Sequence, residues 1–533
     1  MRSESSADTA IGRTAERAVS TSALLVIAAI ACAGIVWQIS VPTGSDVSWL
    51  IEVASRVLSG ERLYVDVIES NPPPAVLIYL PAVLIEHATG ISAEMAQILM
   101  TTTLSLLSLA ACGISLVRAG LCASLDRFLI AGTFAFLLLP RYAFSEREHL
   151  AIILMLPMIV LVFTRRERVK IPLALALTAG CAGGFAAAIK PHFALLAILP
   201  VLQSIVARRS LSPVLRAPEL FAATIVVAVA ATATLVFFPA YLADIVPMET
   251  ETYLHVRAPL PTLLLDPRFL AISLAMFAAY LTLGAGPLDR FLRLLLASTL
   301  GAILAYLAQG KGWAYQLYPA LALVFIVYLT GILPRMSDAT MALRKGPART
   351  RLRALTSFVG LAMLAPMVTL CSTTYFVAMP LAPAIRAISD HPRIFALSDD
   401  IGVGHPLTRI VGGTWVGRTC SQLIQSAAEI RRDAPDTDAE ERNRMARWIG
   451  WERDEIHRAL QTRPDVVVID HKTFNLPALL GARRDIADDL ANYARTTSAG
   501  AVDLLVRRDL ISDRTSSIGA IIQPTVSAHP RTG

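Results

Sequence analysis

The chain has 533 residues, of which 55% are hydrophobic and 17% are charged, and its mean hydropathy is +0.57. Soluble domains carry about 45–50% apolar and about 25% charged residues, so both values indicate a membrane protein. The net charge of +7 does not indicate nucleic-acid binding, because the arginines cluster at the ends of apolar segments. The six cysteines show neither the pairing of a disulfide framework nor the spacing of a metal site.

The apolar stretch 22–41 follows three arginines and predicts an uncleaved first span, since it is longer than the apolar core of a signal peptide. Ten further apolar segments are predicted spans, and the short ones among them suit helices inside a large bundle. The eleven predicted spans are 22–41, 93–117, 126–140, 149–164, 171–189, 191–207, 218–241, 268–286, 291–308, 314–333 and 354–377.

The apolar segment 73–89 is predicted to lie in the outer interface rather than to cross the membrane. With this topology, twenty Lys and Arg residues fall inside and eight fall in short outside loops, as the positive-inside rule requires. Counting the segment as a span would reverse every later loop. Pro72, Pro73, Pro74 and Pro81 also favour a short, broken helix here.

From about residue 385 the composition is that of a globular protein. Segments 393–398, 465–470 and 502–506 are predicted strands, and 437–463 is a predicted helix. We therefore predict an all-α polytopic membrane bundle of about eleven transmembrane helices, with juxtamembrane helices on the outer face and a small C-terminal α/β domain. The predicted parts are a cytoplasmic tail (1–21), the membrane domain (22–380), a soluble periplasmic domain (381–512) and a disordered tail (513–533).

The first outer loop opens with Asp46, at the start of an amphipathic helix that begins at Ser45 or Asp46. Its predicted apolar face comprises Trp49, Leu50, Val53, Val57 and Leu58. A helix lying on the membrane surface would present Asp46 at its upper end. The alternative is that Asp46 only caps the helix.

The second outer loop places Glu146, Arg147, Glu148 and His149 consecutively at a membrane boundary. Such a run is costly unless the residues face water or each other. The two interpretations are a functional cluster and an interfacial anchor with internal ion pairing.

Three later loops add ionisable residues on the same predicted face. Lys190 and His192 flank Pro191, His255 and Arg257 lie in a longer loop, and Lys311 lies between two glycines. Taken alone, each lysine is also explained as an anchor that reaches the lipid headgroups. Acids and cations from five loops together predict a cavity for an anionic, amphipathic substrate.

The opening of the chain resembles the glycosyltransferase C superfamily. In that superfamily an acidic residue after the first span and a surface helix precede an acid-x-x-Pro-Pro juxtamembrane helix. Here the pattern runs from Asp46 to Glu69-Ser70-Asn71-Pro72-Pro73-Pro74, within a likeness that covers roughly residues 20–200. The likeness is strongest to the bacterial branch related to protein O-mannosyltransferases and the lipid A aminoarabinose transferase. Asn71 stands where relatives often carry Lys, and two glutamates replace their usual second-loop Asp.

The resemblance implies transfer of a sugar from a polyprenyl-phosphate carrier to an acceptor glycan, lipid or protein outside the cytoplasm, without a cofactor or metal. An acceptor hydroxyl is a weak nucleophile that needs a base, which implies Asp46 in that role. Glu148 or Glu146 would orient the acceptor or support the base. The growing charge of the lipid phosphate needs cations, and the implied phosphate contacts are Arg147, Lys190, His192 and Lys311. The remaining implied substrate contacts are Asp66, Glu69, Asn71, His149, His255 and Arg257.

Two other classes of function are compatible with a polytopic protein of the bacterial inner membrane. A transporter or flippase of lipid-linked saccharides predicts polar residues buried in the middle of spans, whereas the predicted spans are nearly uncharged. A non-catalytic envelope-assembly subunit predicts that the acids of the outer loops are dispensable.

Overall fold

The computed structural model describes residues 19–212, 216–335, 348–367 and 376–512. The described chain divides into two compact units. The first contains the described residues of 1–65, 69–246 and 256–374. The second contains residues 66–68, 247–255 and the C-terminal part. The predicted tail 513–533, most of the predicted tail 1–21 and the end of the predicted span 354–377 lie outside the described residues.

Within the described residues, each of the eleven predicted spans overlaps helix in the first unit. The helices are Thr21–Ser40, Ser45–Leu58, Pro73–Leu77, Leu80–Thr89, Ala93–Arg118, Leu125–Leu137, Arg147–Arg166, Leu173–Ile189, Leu195–Arg208, Pro218–Phe237, Leu260–Leu264, Pro267–Thr282, Pro287–Gln309, Tyr318–Val327 and Ala348–Leu364. By length and composition, seven helical segments of the described chain are sufficient to cross a membrane. These findings identify a membrane protein, and the number of eleven spans stays a prediction.

The segment 73–89 forms two helices, Pro73–Leu77 and Leu80–Thr89, that are separated at Ile78 and Tyr79. Each helix has proline in its first turn, where the missing N–H costs nothing. The predicted break is therefore present. Its position outside the membrane stays a prediction.

The helix Ser45–Leu58 begins where the sequence predicts. Gly44 is its N-cap residue and Asp46 lies in its first turn, so the alternative that Asp46 is the N-cap is wrong. Residues 47–54 are all buried, whereas Leu58 is 38% exposed. The predicted apolar face therefore ends early, because the helix stops at Ser59 and the chain turns at Gly60, whose φ is +100°.

Two glycines bring the helix Leu173–Ile189 against the backbone of the helix Pro218–Phe237. A Cβ atom on Gly180 would lie 2.2 Å from the carbonyl oxygen of Glu219, and Gly184 makes a similarly close approach one turn later. Small residues four apart permit this approach in membranes, where packing rather than hydrophobic burial drives helix association. The contact is important for the Pro218–Phe237 helix because most of its surface is otherwise exposed.

The second unit contains a five-stranded sheet in the order β2-β1-β3-β5-β4. The strands are β1 (Arg393–Leu397), β2 (Thr414–Trp415), β3 (Val466–Asp470), β4 (Tyr493–Ala499) and β5 (Val502–Arg507). β1 pairs in parallel with β2 and β3, whereas β5 is antiparallel to β3 and β4. The helices of the C-terminal part are Ala382–Arg386, Ile401–Gly404, Leu407–Ile410, Leu423–Arg432, Ala439–Gln461, Leu476–Ala482, Arg484–Leu490 and Arg508–Ser512. The three predicted strands and the predicted helix 437–463 are confirmed.

We expect Gly180→Ala to lower the free energy of unfolding by about 1–3 kcal/mol, the usual cost of overpacking. The new methyl group would clash with the backbone of Glu219, which cannot move away as a flexible side chain can. Unfolding of the purified chain in detergent measures the effect. The matched control is Gly113→Ala, also within a helix, whose Cβ would lie 3.6 Å from the Leu125 side chain. Equal losses in the two variants would contradict a specific role of close helix approach.

We expect Thr89 and Cys122 to lie on opposite sides of the membrane, because only the helix Ala93–Arg118 separates them if 73–89 does not cross. Both positions are exposed. In chains that retain one cysteine each, an impermeant thiol reagent added to intact cells should label Thr89→Cys and spare Cys122. The reverse labelling would show that 73–89 spans the membrane.

Candidate functional site

An ion pair joins the first two predicted outer loops of the membrane unit. Arg147 Nη2 donates to Asp46 Oδ2 at 2.6 Å, across 101 positions of sequence. The loops approach closely at Gly44, where a Cβ atom would lie 2.8 Å from the carbonyl oxygen of Tyr142 and 3.1 Å from Glu146 Oε1. A glycine before the helix thus allows the acidic first turn of one element to meet the cationic first turn of another.

A second ion pair follows at the next residue. Lys190 Nζ donates to Glu148 Oε1 at 2.8 Å. Pro191 places Lys190, because the residue before a proline favours extended backbone, and Lys190 has φ −148° and ψ 122°. The Lys190 side chain therefore leaves the axis of the helix Leu173–Ile189 and reaches Glu148, whose side chain is fully buried.

Glu146 lies beside both pairs, with Oε2 4.0 Å from Arg147 Nη2. Burial raises the pKa of Glu146 well above its usual range, and the neighbouring carboxylate of Asp46 raises it further. Both effects favour the protonated form of Glu146. Burial also lowers the pKa of Lys190, and the carboxylate of Glu148 opposes that effect. Asp46, Glu146, Arg147, Glu148 and Lys190 together form one array (the charged array), in which each of the two cations pairs with an acid.

Several polar atoms of the charged array lack a hydrogen-bond partner within the part of the chain that the structure describes. They are Glu146 Oε2, Glu148 Oε2 and Arg147 Nε, all buried. A buried polar atom without a partner costs about 1–3 kcal/mol. These atoms are the groups on which a bound hydroxyl or phosphate would form new hydrogen bonds.

Three residues that the sequence did not single out fix the backbone ahead of the charged array. Ser145 has φ +63°, in the left-handed region that is unfavourable for a non-glycine residue. Its carbonyl accepts from Tyr79 at 2.7 Å, its hydroxyl pairs with Thr101 at 2.8 Å, and its N–H donates to His149 Nδ1 at 2.9 Å. Strain of this kind persists where surrounding contacts determine the conformation. Only the tertiary structure reveals these contacts, so no sequence signal identifies Tyr79, Thr101 or Ser145.

His149 is fully buried and contacts aromatic rings rather than the charged array. Its ring lies 5.2 Å from that of Phe144 and 5.1 Å from that of Tyr318. The structure thus places His149 in the apolar core behind the loop, where it holds Ser145. His192 lies nearer to the array, because the charges of Lys190 and Glu148 both act on it.

Glu69 and Asn71 form a local turn in the membrane unit. Glu69 accepts from Trp49 Nε1 at 2.5 Å, and its other oxygen accepts from the backbone N–H of Asn71 at 2.8 Å. Glu69 is 3% exposed, so its acid joins the predicted surface helix to the proline segment. The structure gives both residues protein contacts and leaves their predicted contact with substrate untested.

The remaining predicted residues lie in two groups. Lys311 Nζ donates to the carbonyl of Val256 at 2.7 Å, and Arg257 Nη2 donates to that of Ala308 at 2.5 Å. These bonds tie the two later loops of the membrane unit together. Asp66 and His255 belong to the second compact unit.

The charged array contains the parts that acid–base chemistry on an anionic substrate requires. The Asp46 carboxylate, which pairs with the Arg147 guanidinium, is 22% exposed. The other side chains of the array are at most 14% exposed. Low local dielectric strengthens each of these interactions. The arrangement can accept a proton at its exposed carboxylate and bind an anion at its cations.

No family model matches the chain, and no curated protein matches it. Among solved structures, it is similar to ArnT from Cupriavidus metallidurans bound to undecaprenyl phosphate, with a TM-score of 0.54, 12% identity, and coverage of 92% of this chain and 99% of that one. Arabinofuranosyltransferase AftD from Mycobacteria gives a TM-score of 0.43 at 13% identity, covering 90% and 40% of the respective chains. Oligosaccharyltransferase AglB from Archaeoglobus fulgidus gives 0.41 at 10% identity, covering 91% and 74%.

At 10–13% sequence identity, these similarities bear on the fold alone. Of the three structures, ArnT gives a TM-score above 0.5. The ArnT match extends over nearly the whole of both chains, the membrane helices and the C-terminal part alike. The chain therefore shares the fold of the ArnT structure.

Proposed function

We propose that the protein is an inner-membrane glycosyltransferase that moves a sugar from a polyprenyl-phosphate carrier to an acceptor glycan, lipid or protein on the periplasmic face. The charged array is the observation that carries this proposal. The shared fold supports it, because the ArnT structure contains bound undecaprenyl phosphate. The asymmetry of Lys and Arg supports a cytoplasmic N-terminus and a periplasmic C-terminal domain.

In the proposed reaction Asp46 is the general base. Its carboxylate is the most exposed member of the charged array, so it is the one that an acceptor hydroxyl can reach. The hydroxyl oxygen attacks the anomeric carbon as the bond to the phosphate oxygen breaks, and its proton passes to Asp46. Arg147 orients the carboxylate for this transfer through the bond at 2.6 Å. General-base catalysis of this kind contributes about 10²–10⁴-fold.

Arg147 and Lys190 receive the lipid phosphate as it leaves. Arg147 holds Asp46 through Nη2 and has its Nε available for a phosphate oxygen. The Lys190 side chain is 14% exposed beside Glu148, and its attraction for an anion is stronger there than in water. His192 and Lys311 are proposed as outer contacts of the same phosphate. Two cations beside the leaving group supply the electrostatic stabilisation that a transferase otherwise obtains from a metal, so we propose metal-independent transfer.

Glu146 and Glu148 have different proposed roles because their environments differ. Glu148 is ionised by its contact with Lys190 and fixes that cation. Burial raises the pKa of Glu146, and its unpartnered Oε2 is the atom proposed to contact an acceptor hydroxyl. Direct displacement by a hydroxyl on the face opposite the phosphate inverts the anomeric centre, which is the proposed stereochemistry.

We expect Asp46→Asn to reduce transfer by about 10²–10⁴-fold, because an amide cannot take the proton. Its oxygen still accepts the hydrogen bond of Arg147, so the fold should survive. The measurement is transfer from synthetic prenyl-phosphate sugars, alongside thermal unfolding in detergent. Asp126→Asn is the matched control, since Asp126 also lies in the first turn of a helix but outside the charged array. Unchanged transfer by Asp46→Asn would exclude Asp46 as the base.

We expect Lys190→Met to lower both stability and transfer. Removing one partner of a buried ion pair costs about 3–5 kcal/mol, because the charge of Glu148 remains. Adding Glu148→Gln should restore thermal stability and leave catalytic efficiency at least about tenfold below that of the native protein. A double variant with native activity would show that Lys190 serves only to neutralise Glu148.

Lys311→Met is the comparison for this experiment. Its ammonium donates to the carbonyl of Val256, a neutral acceptor that carries no charge when the lysine is removed. We expect native thermal stability and a weaker interaction with the donor, measured as an increase in KM. An unchanged KM would remove Lys311 from the proposed phosphate site.

A further inference from the structure

A cavity of about 620 Å³ lies at the end of the helix Arg147–Arg166 that is remote from the charged array. The helix has 20 residues, which at about 1.5 Å per residue separates its two ends by roughly 30 Å. The cavity is therefore at the opposite membrane boundary. Its lining residues are Arg166, Glu167, Arg168, Ala207, Arg208, Ser210, Ser212 and Arg290.

Positive charge dominates this cavity (the arginine cavity). Four arginines and one glutamate line it, and Glu167 is fully engaged by Arg290 in two contacts at 3.1 and 2.7 Å. Arg208 Nη2 donates to the carbonyl of Arg166 at 2.6 Å. The guanidinium groups of Arg166 and Arg168 make no hydrogen bond or ion pair within the described residues.

The unpaired arginines differ from their neighbours at the same boundary. Arg165 forms a bidentate pair with Glu219 at 2.7 and 2.9 Å, and Arg335 pairs with Asp289 at 2.7 Å. Arg166 instead lies within electrostatic range of three further arginines, including Arg208 and Arg290. Mutual repulsion in such a cluster is relieved by an anion, and a phosphate matches the geometry of guanidinium groups.

An apolar stripe leads along the membrane helix to the arginine cavity. Ile198, Leu202 and Val206 recur every four residues on one face of the helix Leu195–Arg208 and are 45%, 49% and 76% exposed. Val206 directly precedes Ala207 and Arg208, which line the cavity. A soluble phosphate would leave this apolar stripe uncovered, whereas the acyl chains of a phospholipid would cover it.

We propose that the arginine cavity binds the phosphodiester headgroup of an anionic phospholipid whose acyl chains lie along the stripe of Ile198, Leu202 and Val206. Arg166 and Arg168 bind the phosphate, with Arg208 and Arg290 adding positive charge. Ser210 and Ser212 offer hydroxyl groups to the polar part of the headgroup. The site is independent of the proposed transfer chemistry, since none of its residues belongs to the charged array.

Native mass spectrometry of the full-length chain in detergent, titrated with phosphatidylglycerol, tests this proposal. Phosphatidylcholine tests the need for net charge, and glycerol 3-phosphate tests the need for acyl chains. The variant is Arg166→Gln with Arg168→Gln. At roughly 1 kcal/mol for each arginine, we expect about 25-fold weaker phosphatidylglycerol binding. Arg118→Gln is the matched control, because Arg118 is an exposed arginine at another helix end, outside the arginine cavity.

Each outcome supports or overturns the assignment. Selective loss of phosphatidylglycerol in the double variant, with native binding by Arg118→Gln, supports it. Equal loss in both variants would indicate a diffuse positive boundary, and native binding by the double variant would exclude the cavity. Glycerol 3-phosphate binding as tight as the lipid would assign the cavity to a soluble phosphate. If the double variant unfolds, Arg168→Gln alone gives the same comparison with an expected loss of about fivefold.

Discussion

A charge that leaves water for an apolar bundle costs several kcal/mol unless an opposite charge and further hydrogen bonds compensate it. In the helix Arg147–Arg166, two consecutive buried residues meet this requirement with partners from different elements. Arg147 pairs with Asp46 after the first membrane helix, and Glu148 pairs with Lys190 after a later one. The constraint fixes three helix ends at one place, so the two ion pairs position the site and also stabilise this part of the bundle.

The same pairing determines how the array responds during the proposed reaction. Both cations are already engaged, so a lipid phosphate must share them with Asp46 and Glu148. When Asp46 takes the proton of the acceptor it loses its charge, and Arg147 becomes available at the moment when the leaving phosphate gains charge. Proton transfer and phosphate stabilisation are thereby coupled through one guanidinium. Interactions that strengthen only in the transition state are the ones that raise kcat.

Local patterns predicted much of this structure, and long-range contacts account for what they did not. Long apolar runs located the helices, and short apolar runs located three strands, of which only β5 alternates in burial. The sequence missed strand β2, which has two residues, and strand β4, whose segment Tyr493–Ala499 is largely polar. Convergence of Asp46, Arg147 and Lys190 was predictable from helix breaks at one boundary. Which acid meets which cation, and the placement of His149 in the core, depend on packing that no spacing in the sequence reveals.

The two ends of the helix Arg147–Arg166 show how the same residue type acquires different properties. Arg147 lies among acids, so its charge is balanced and held in a fixed orientation. Arg166 lies near one acid, Glu167, and three arginines, so positive charge is in excess there, and the proposed anionic lipid would balance it. With the predicted topology, the positive-inside rule accounts for a boundary rich in arginine, but not for the way these side chains surround a cavity of about 620 Å³. The ion pair of Arg147 holds a side chain in a fixed position. The arginines around the open cavity are instead suited to binding an anion. The distribution of acids between the two boundaries thus agrees with the two proposals, which place transfer chemistry at one end of the bundle and a bound lipid at the other.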